Sequence, residues 1–201
     1  MPEQDRLYVL KRTIFDPKNP RELTFKIALP ETFTDLKAAK AEAKVLLAKE
    51  GYDVDFFDTY ETKVDPLNWK YGDGVQVFAK APSGEEFKVE IDTVKNSEGL
   101  KSDDSGKVLQ PLHHVLQTIV EYHDDRSGTK RESIVEGTYA DRRKACDRAL
   151  RVLLDPDLTK EDYAEYDEYV DGTEKPFGPD VFVHAVKETG ENLLVSVIAD
   201  H

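Results

Sequence analysis

The sequence predicts an α+β protein built as a tandem duplication of one ββα(α)ββ unit, each copy an antiparallel sheet covered by one amphipathic helix. Three observations predict it. First, "VQVFAKAPSGEEFKVEI" from Val75 and "VFVHAVKETGENLLVSVI" from Val181 both read as strand, tight turn, strand. They share Val, Val, Ala, Gly-Glu and Val in one register, at an offset of 106 set by residues 75 and 181. Second, "TFTDLKAAKAEAKVLLAKEG" from Thr32 faces "TYADRRKACDRALRVLLDPD" from Thr138, both with apolar residues at helical spacing. Third, Phe57/Tyr163, Tyr60/Tyr166, Val64/Val170 and Asp65/Asp171 keep the same offset between helix and hairpin. The copies are expected over 5–94 and 108–201, joined by an exposed, flexible linker over 95–107, "KNSEGLKSDDSGK". A pseudo-twofold packing into one compact unit would bury like against like.

The elements follow in order. A strand "LYVLKRTIF" leads through the polar turn "DPKNPRE" to a second strand, "LTFKIAL". Their counterparts are "HHVLQTIVEY", "HDDRSGTKR" and "ESIVEG", with Val9-Leu10 set against Val115-Leu116. Thr32-x-x-Asp35 and Thr138-x-x-Asp141 resemble capping boxes with Asp in place of Glu. Leu36, Ala39, Ala43, Leu46 and Leu47 share one helical face, as do Ala145, Ala149, Val152 and Leu153. Gly51 and Pro156 are the expected stops. Over 54–64 the alternation suits a strand, whereas 160–170 spaces Tyr163, Tyr166 and Val170 like a short helix. Equivalent segments should fold alike, and a helical turn is the expectation for both. The closing hairpins place Gly84 and Gly190 where a turn needs a left-handed residue.

With segment 54–64 as a strand, each copy holds βαβββ. That element order is similar to the paired modules of vicinal-oxygen-chelate enzymes. The symmetric His and Glu metal ligands of those enzymes have no matched set in this sequence, so the similarity is confined to element order.

Charge narrows the function. The net charge is −13 and neither half is basic, which disfavours a nucleic-acid backbone binder, since phosphate needs clustered Lys and Arg. Charged residues at 34% beside 39% hydrophobic leave enough apolar content for a core. The single Cys146 makes no internal disulfide, and no apolar run reaches signal-peptide or membrane-span length. A soluble cytoplasmic protein is expected.

Few residues suggest chemistry. His113 and His123, ten apart on a strand, would be roughly 33 Å apart, too far to share an ion. Cys146 lies near the apolar helix face and reads as a small core residue. The run "DPDLTKEDYAEYDEYVDGTE" fails the calcium-loop pattern, because position six from Asp155 is Lys160 and position twelve is Tyr166. It reads as a solvated acidic surface, with docking of a basic partner second.

His184 stands where copy one has Phe78. Parity puts Phe182, His184, Val186, Leu194, Ser196 and Ile198 on one face, where copy one is mostly polar. Such a two-sided hairpin needs a cover, from the other copy, a second subunit or a ligand. Trp69 and Tyr71, the latter answered by Phe177, sit in a Gly/Pro loop and offer stacking surfaces. The candidate ligand contacts are therefore His184, Phe182, Trp69, Tyr71, Tyr60 and Tyr166. No catalytic residue, metal ligand set or cofactor motif is assigned.

The leading expectation is a non-catalytic protein-interaction or small-ligand-binding protein, with a partner or a second copy held on the apolar second face of 181–198. The rival is an enzyme with an acid/base or metal site in a groove between the copies.

Overall fold

The structure, a computed structural model, describes residues 5–18, 26–121 and 130–200. His123, His201 and most of the two polar turns at 16–22 and 123–131 lie outside these residues. The chain divides into two units at Leu109/Gln110, each with its own antiparallel sheet.

In the first unit, alternating apolar residues give β1 (Arg6–Phe15), followed by β2 (Lys26–Ala28), β3 (Thr32–Phe33), α1 (Leu36–Lys49), β4 (Thr59–Thr62), β5 (Val75–Lys80) and β6 (Glu86–Lys95). The sheet runs β2-β1-β6-β5-β4, with β3 also paired to β1. The second unit has β7 (His113–Glu121), β8 (Lys130–Tyr139), α2 (Arg142–Ala149), β9 (Glu165–Glu168), β10 (Val181–Val186) and β11 (Asn192–Ala199), in the order β8-β7-β11-β10-β9. The two units thus share an α+β element order. No helix is long and apolar enough to cross a membrane among the described residues.

Each helix lies on one face of its own sheet. Ala39, Ala43, Leu46 and Leu47 pack with Leu10, Val77, Phe87 and Val89. Ala145 and Ala149 pack with Val115, Val183, Leu193 and Val195. Burying one such Val or Leu side chain contributes about 1.5–3 kcal/mol, so these small cores carry each fold.

Four expectations change. Segments 54–64 and 160–170 each combine a single helical turn, Val54–Phe56 or Lys160–Asp162, with an edge strand, β4 or β9. The turn ends where the ladder begins: Asp58 N–H donates to Lys80 C=O and Ala164 N–H to Val186 C=O. The capping boxes are replaced by simple N-caps. Asp35 accepts from Ala38 N–H at 2.9 Å and Asp141 from Arg143 N–H at 2.8 Å. Thr32 is held extended in β3, its C=O accepting from Val108 N–H. Gly51 (φ +94°) does end α1, with Tyr52 N–H closing back on Leu47 C=O, but α2 stops at Ala149, well before Pro156.

The first strands align one residue off the expected offset. Leu10 pairs with Ile91 and Val115 with Val197, so Leu10 answers Val115 and Lys11 answers Leu116. One residue of slip exchanges the faces of a strand, so Val9-Leu10 is not the counterpart of Val115-Leu116. The closing hairpins keep the 106 offset, including a register shift at Val75/Val77 in one and at Val181/Val183 in the other.

The segment 95–107 is mostly exposed and is held to the first unit by hydrogen bonds and an ion pair. Thr34 N–H donates to Gly106 C=O, Thr34 Oγ1 bonds Ser102 Oγ at 2.7 Å, and Lys107 Nζ meets Glu31 at 2.7 Å.

Candidate functional site

Strand β9 reads Glu165-Tyr166-Asp167-Glu168, and strand alternation divides it by face. Tyr166 turns toward the helix and packs on the second core. Glu165 and Asp167 point the opposite way, both exposed, with Asp167 directly across from His184 on β10. One ligand atom from each of Glu165, Asp167 and His184 lies within 4.8 Å of the other two. Neither carboxylate has a hydrogen-bond or ion-pair partner among the described residues.

His184 is 7% exposed and held on two sides. Its Nε2 bonds Asn192 Oδ1 at 2.8 Å. A side-chain carbonyl oxygen only accepts, so Nε2 is the donor in this contact and Nδ1 is the ring nitrogen left outside it. Phe177 stacks on the ring with centroids 4.1 Å apart. Stacking covers a ring face and does not engage Nδ1, which lies in the ring plane.

The first unit has the same frame with other chemistry. At the equivalent positions stand Thr59, Glu61 and Phe78, with Tyr71 stacked on Phe78 at 4.1 Å. Tyr71 Oη donates to Glu61, and that bond is the main cause raising the Tyr71 phenol above its ordinary pKa. In the second unit the ring is Phe177, with no hydroxyl to offer Asp167.

The six candidate contacts divide between the two units, with Tyr60, Trp69 and Tyr71 in the first and Tyr166, Phe182 and His184 in the second. Tyr60 and Tyr166 face the helices, where burial raises both phenols, Tyr166 to about 12. Phe182 is 3% exposed, packs in the second core, and has Lys175 Nζ 3.7 Å above its ring. Trp69 meets Tyr71 edge-on at 5.0 Å in the first unit, its buried Nε1 without a hydrogen-bond partner among the described residues. Of the six, His184 alone belongs to the cluster. On the expected docking face, Phe182, His184 and Leu194 are buried within the folded chain.

Sequence reasoning missed Glu165 and Asp167. The available signal was the alternation "EYDE" opposite "FVHAV", with Thr59 and Glu61 in place of the pair in the first unit.

Other reactive groups are committed to structure. His114 is fully buried, its Nδ1 on Thr138 Oγ1 at 2.9 Å and its Nε2 on Asp200 Oδ1 at 2.5 Å. Burial raises the Cys146 thiol, which disfavours a nucleophilic thiolate. An open groove lined by Asp5, Arg6, Thr93, Val94 and Lys95 lies on the first unit and holds none of these groups. No family model matches the sequence, and no curated protein or solved structure matches it.

Proposed function

We propose that this chain is a non-catalytic binding protein built by internal duplication, and that its binding centre is the acidic edge of the second unit around His184. The ligand class is cationic. One observation carries this: two carboxylates without partners converge on a buried, oriented imidazole, at positions where the first unit has Thr59, Glu61 and Phe78. The duplicated frame is kept and the charge is added. Two exposed carboxylates favour binding over acid/base chemistry, which gains from a closed, water-poor site. The acidic composition and lone cysteine support a cytoplasmic location.

The test is an amide NMR titration of the full chain with two cationic probes, spermidine and Zn²⁺. Saturable shifts confined to 165–168 and 182–186 with either probe support the proposal. Absence of such shifts with both probes removes it.

A further inference from the structure

We infer that Glu165, Asp167 and His184 form a site for one first-row divalent transition-metal ion, an inference that rests on the cation-binding reading above and narrows it. The donor set carries the choice of ion. Ca²⁺ and Mg²⁺ are held by oxygen ligands, whereas an imidazole nitrogen beside carboxylates suits Zn²⁺ and its first-row neighbours.

The geometry needs little adjustment. Bonds of roughly 2.0–2.1 Å in a tetrahedral site place ligand atoms about 3.3 Å apart. Here they lie within 4.8 Å, and the two groups that must close the gap are exposed carboxylates free to change rotamer. The third ligand is already fixed. Asn192 engages His184 Nε2, leaving Nδ1 outside that bond, and Phe177 lies stacked on the ring face. That is the outer-shell support a metal-binding histidine requires. An ion would also relieve repulsion between Glu165 and Asp167, which share a face two residues apart.

All three ligands come from two adjacent strands and lie on one face of the sheet. A fourth coordination position would therefore face away from the sheet. The first unit is a built-in control: Phe78 cannot ligate, and Glu61 already accepts from Tyr71.

The experiment is isothermal titration calorimetry of the full chain with Zn²⁺ alone, and with Mg²⁺ alone. The expected result is a single Zn²⁺ site per chain, bound more tightly than Mg²⁺. Asp167→Asn and Glu165→Gln, both at exposed positions that leave folding intact, should each weaken it by at least the ~10- to 100-fold that loss of an outer-shell partner costs. His184→Phe, which copies the first unit, should abolish it, and Glu61→Gln should change nothing. Nitrogen-15 NMR should report Zn²⁺ on His184 Nδ1. Zn²⁺ binding that is absent, or equally tight in Asp167→Asn and Glu165→Gln, or no tighter than Mg²⁺, overturns the inference. If spermidine still shifts 165–168 and 182–186, the metal assignment falls alone; if neither probe does, both readings fall.

Discussion

Phe177 lies on His184 with ring centres 4.1 Å apart, and in the other unit Tyr71 lies on Phe78 at the same distance. Both rings are delivered by the same loop device. Gly72 (φ +110°) and Gly178 (φ +125°) take a left-handed turn that a side chain would strain, and each carbonyl accepts from the valine that opens the next strand. The backbone thus presents an aromatic to the same spot twice, and only the chemistry of the pair differs.

Exchanging the two rings tests that difference. In Phe177→Tyr the new hydroxyl should reach Asp167 as Tyr71 reaches Glu61. Competition for the carboxylate should weaken Zn²⁺ binding by about tenfold in calorimetry, with little change in thermal unfolding. The reverse change, Tyr71→Phe, should cost about 1 kcal/mol of stability from the lost hydrogen bond and leave Zn²⁺ binding as it was.

The second faces of the sheets invite a different exchange. Lys11 is 3% exposed, bonds Asp92 at 2.9 Å and lies 3.6 Å from Glu90. Burial raises the Glu90 pKa while Lys11 pulls it down. At the same ladder positions the second unit has Leu116, Ser196 and Ile198. Lys11→Met removes the ammonium from both carboxylates and should cost about 3–5 kcal/mol. The triple change Lys11→Leu, Glu90→Ser, Asp92→Ile should recover most of that loss. Urea midpoints decide it: a triple variant no more stable than Lys11→Met would refute the account.

The hairpins were legible in the sequence because turn, bulge and alternation all agree there, from Val75 to Gly84 and from Val181 to Gly190. The helix faces were legible in part, through helical spacing: Ala39, Ala43, Leu46 and Leu47 in α1 and Ala145 and Ala149 in α2 are buried, whereas Leu36 is exposed and Val152 and Leu153 lie beyond α2. The edge strands β4 and β9 were not, since four residues are too few to show a period and Tyr163/Tyr166 spacing fits a helical turn equally well. The β1/β7 register escaped because Val-Leu recurs in both strands while the core face is set by pairing with β6 and β11. Glu165 and Asp167 escaped for another reason: acidic residues on an edge strand look like ordinary solvation until the neighbouring strand brings His184 opposite.

His114 answers Val9 of the first unit, so its role can be removed by copying that residue. The imidazole joins Thr138 to Asp200, whose carboxylate also accepts from Leu112 N–H at 3.1 Å. His114→Val leaves a buried hydroxyl without its imidazole partner and should destabilise the chain by about 2–3 kcal/mol. Asp200→Asn, which retains an acceptor oxygen, should cost about 1 kcal/mol. Chemical denaturation that ranks the two in the opposite order would show that the His114–Thr138 bond contributes little.

Asp171 gives the fold an acid-side dependence that can be followed at one carboxylate. Arg142 at the start of α2 bonds it through both Nη atoms, at 2.5 and 3.2 Å, and Lys175 Nζ lies at 3.2 Å. The Arg142 bond is the largest cause, and the pKa falls from 3.8 to about 2. A depressed carboxylate pKa means the folded state holds the charge more tightly than the unfolded chain does. The contribution is therefore complete above pH 3.8 and is lost as pH falls toward 2. Asp171 is exposed to solvent, so the effect on stability is small and the titration itself is the sensitive readout. Carbon-13 NMR of the Asp171 carboxyl should give a midpoint near 2 in the parent chain, moving up toward the ordinary value in Arg142→Leu. Lys175→Ala should raise it less, while costing more stability, because the 6%-exposed Lys175 side chain also lies across Phe182. A parent midpoint near 3.8 would mean that Arg142 and Asp171 do not hold this contact in solution.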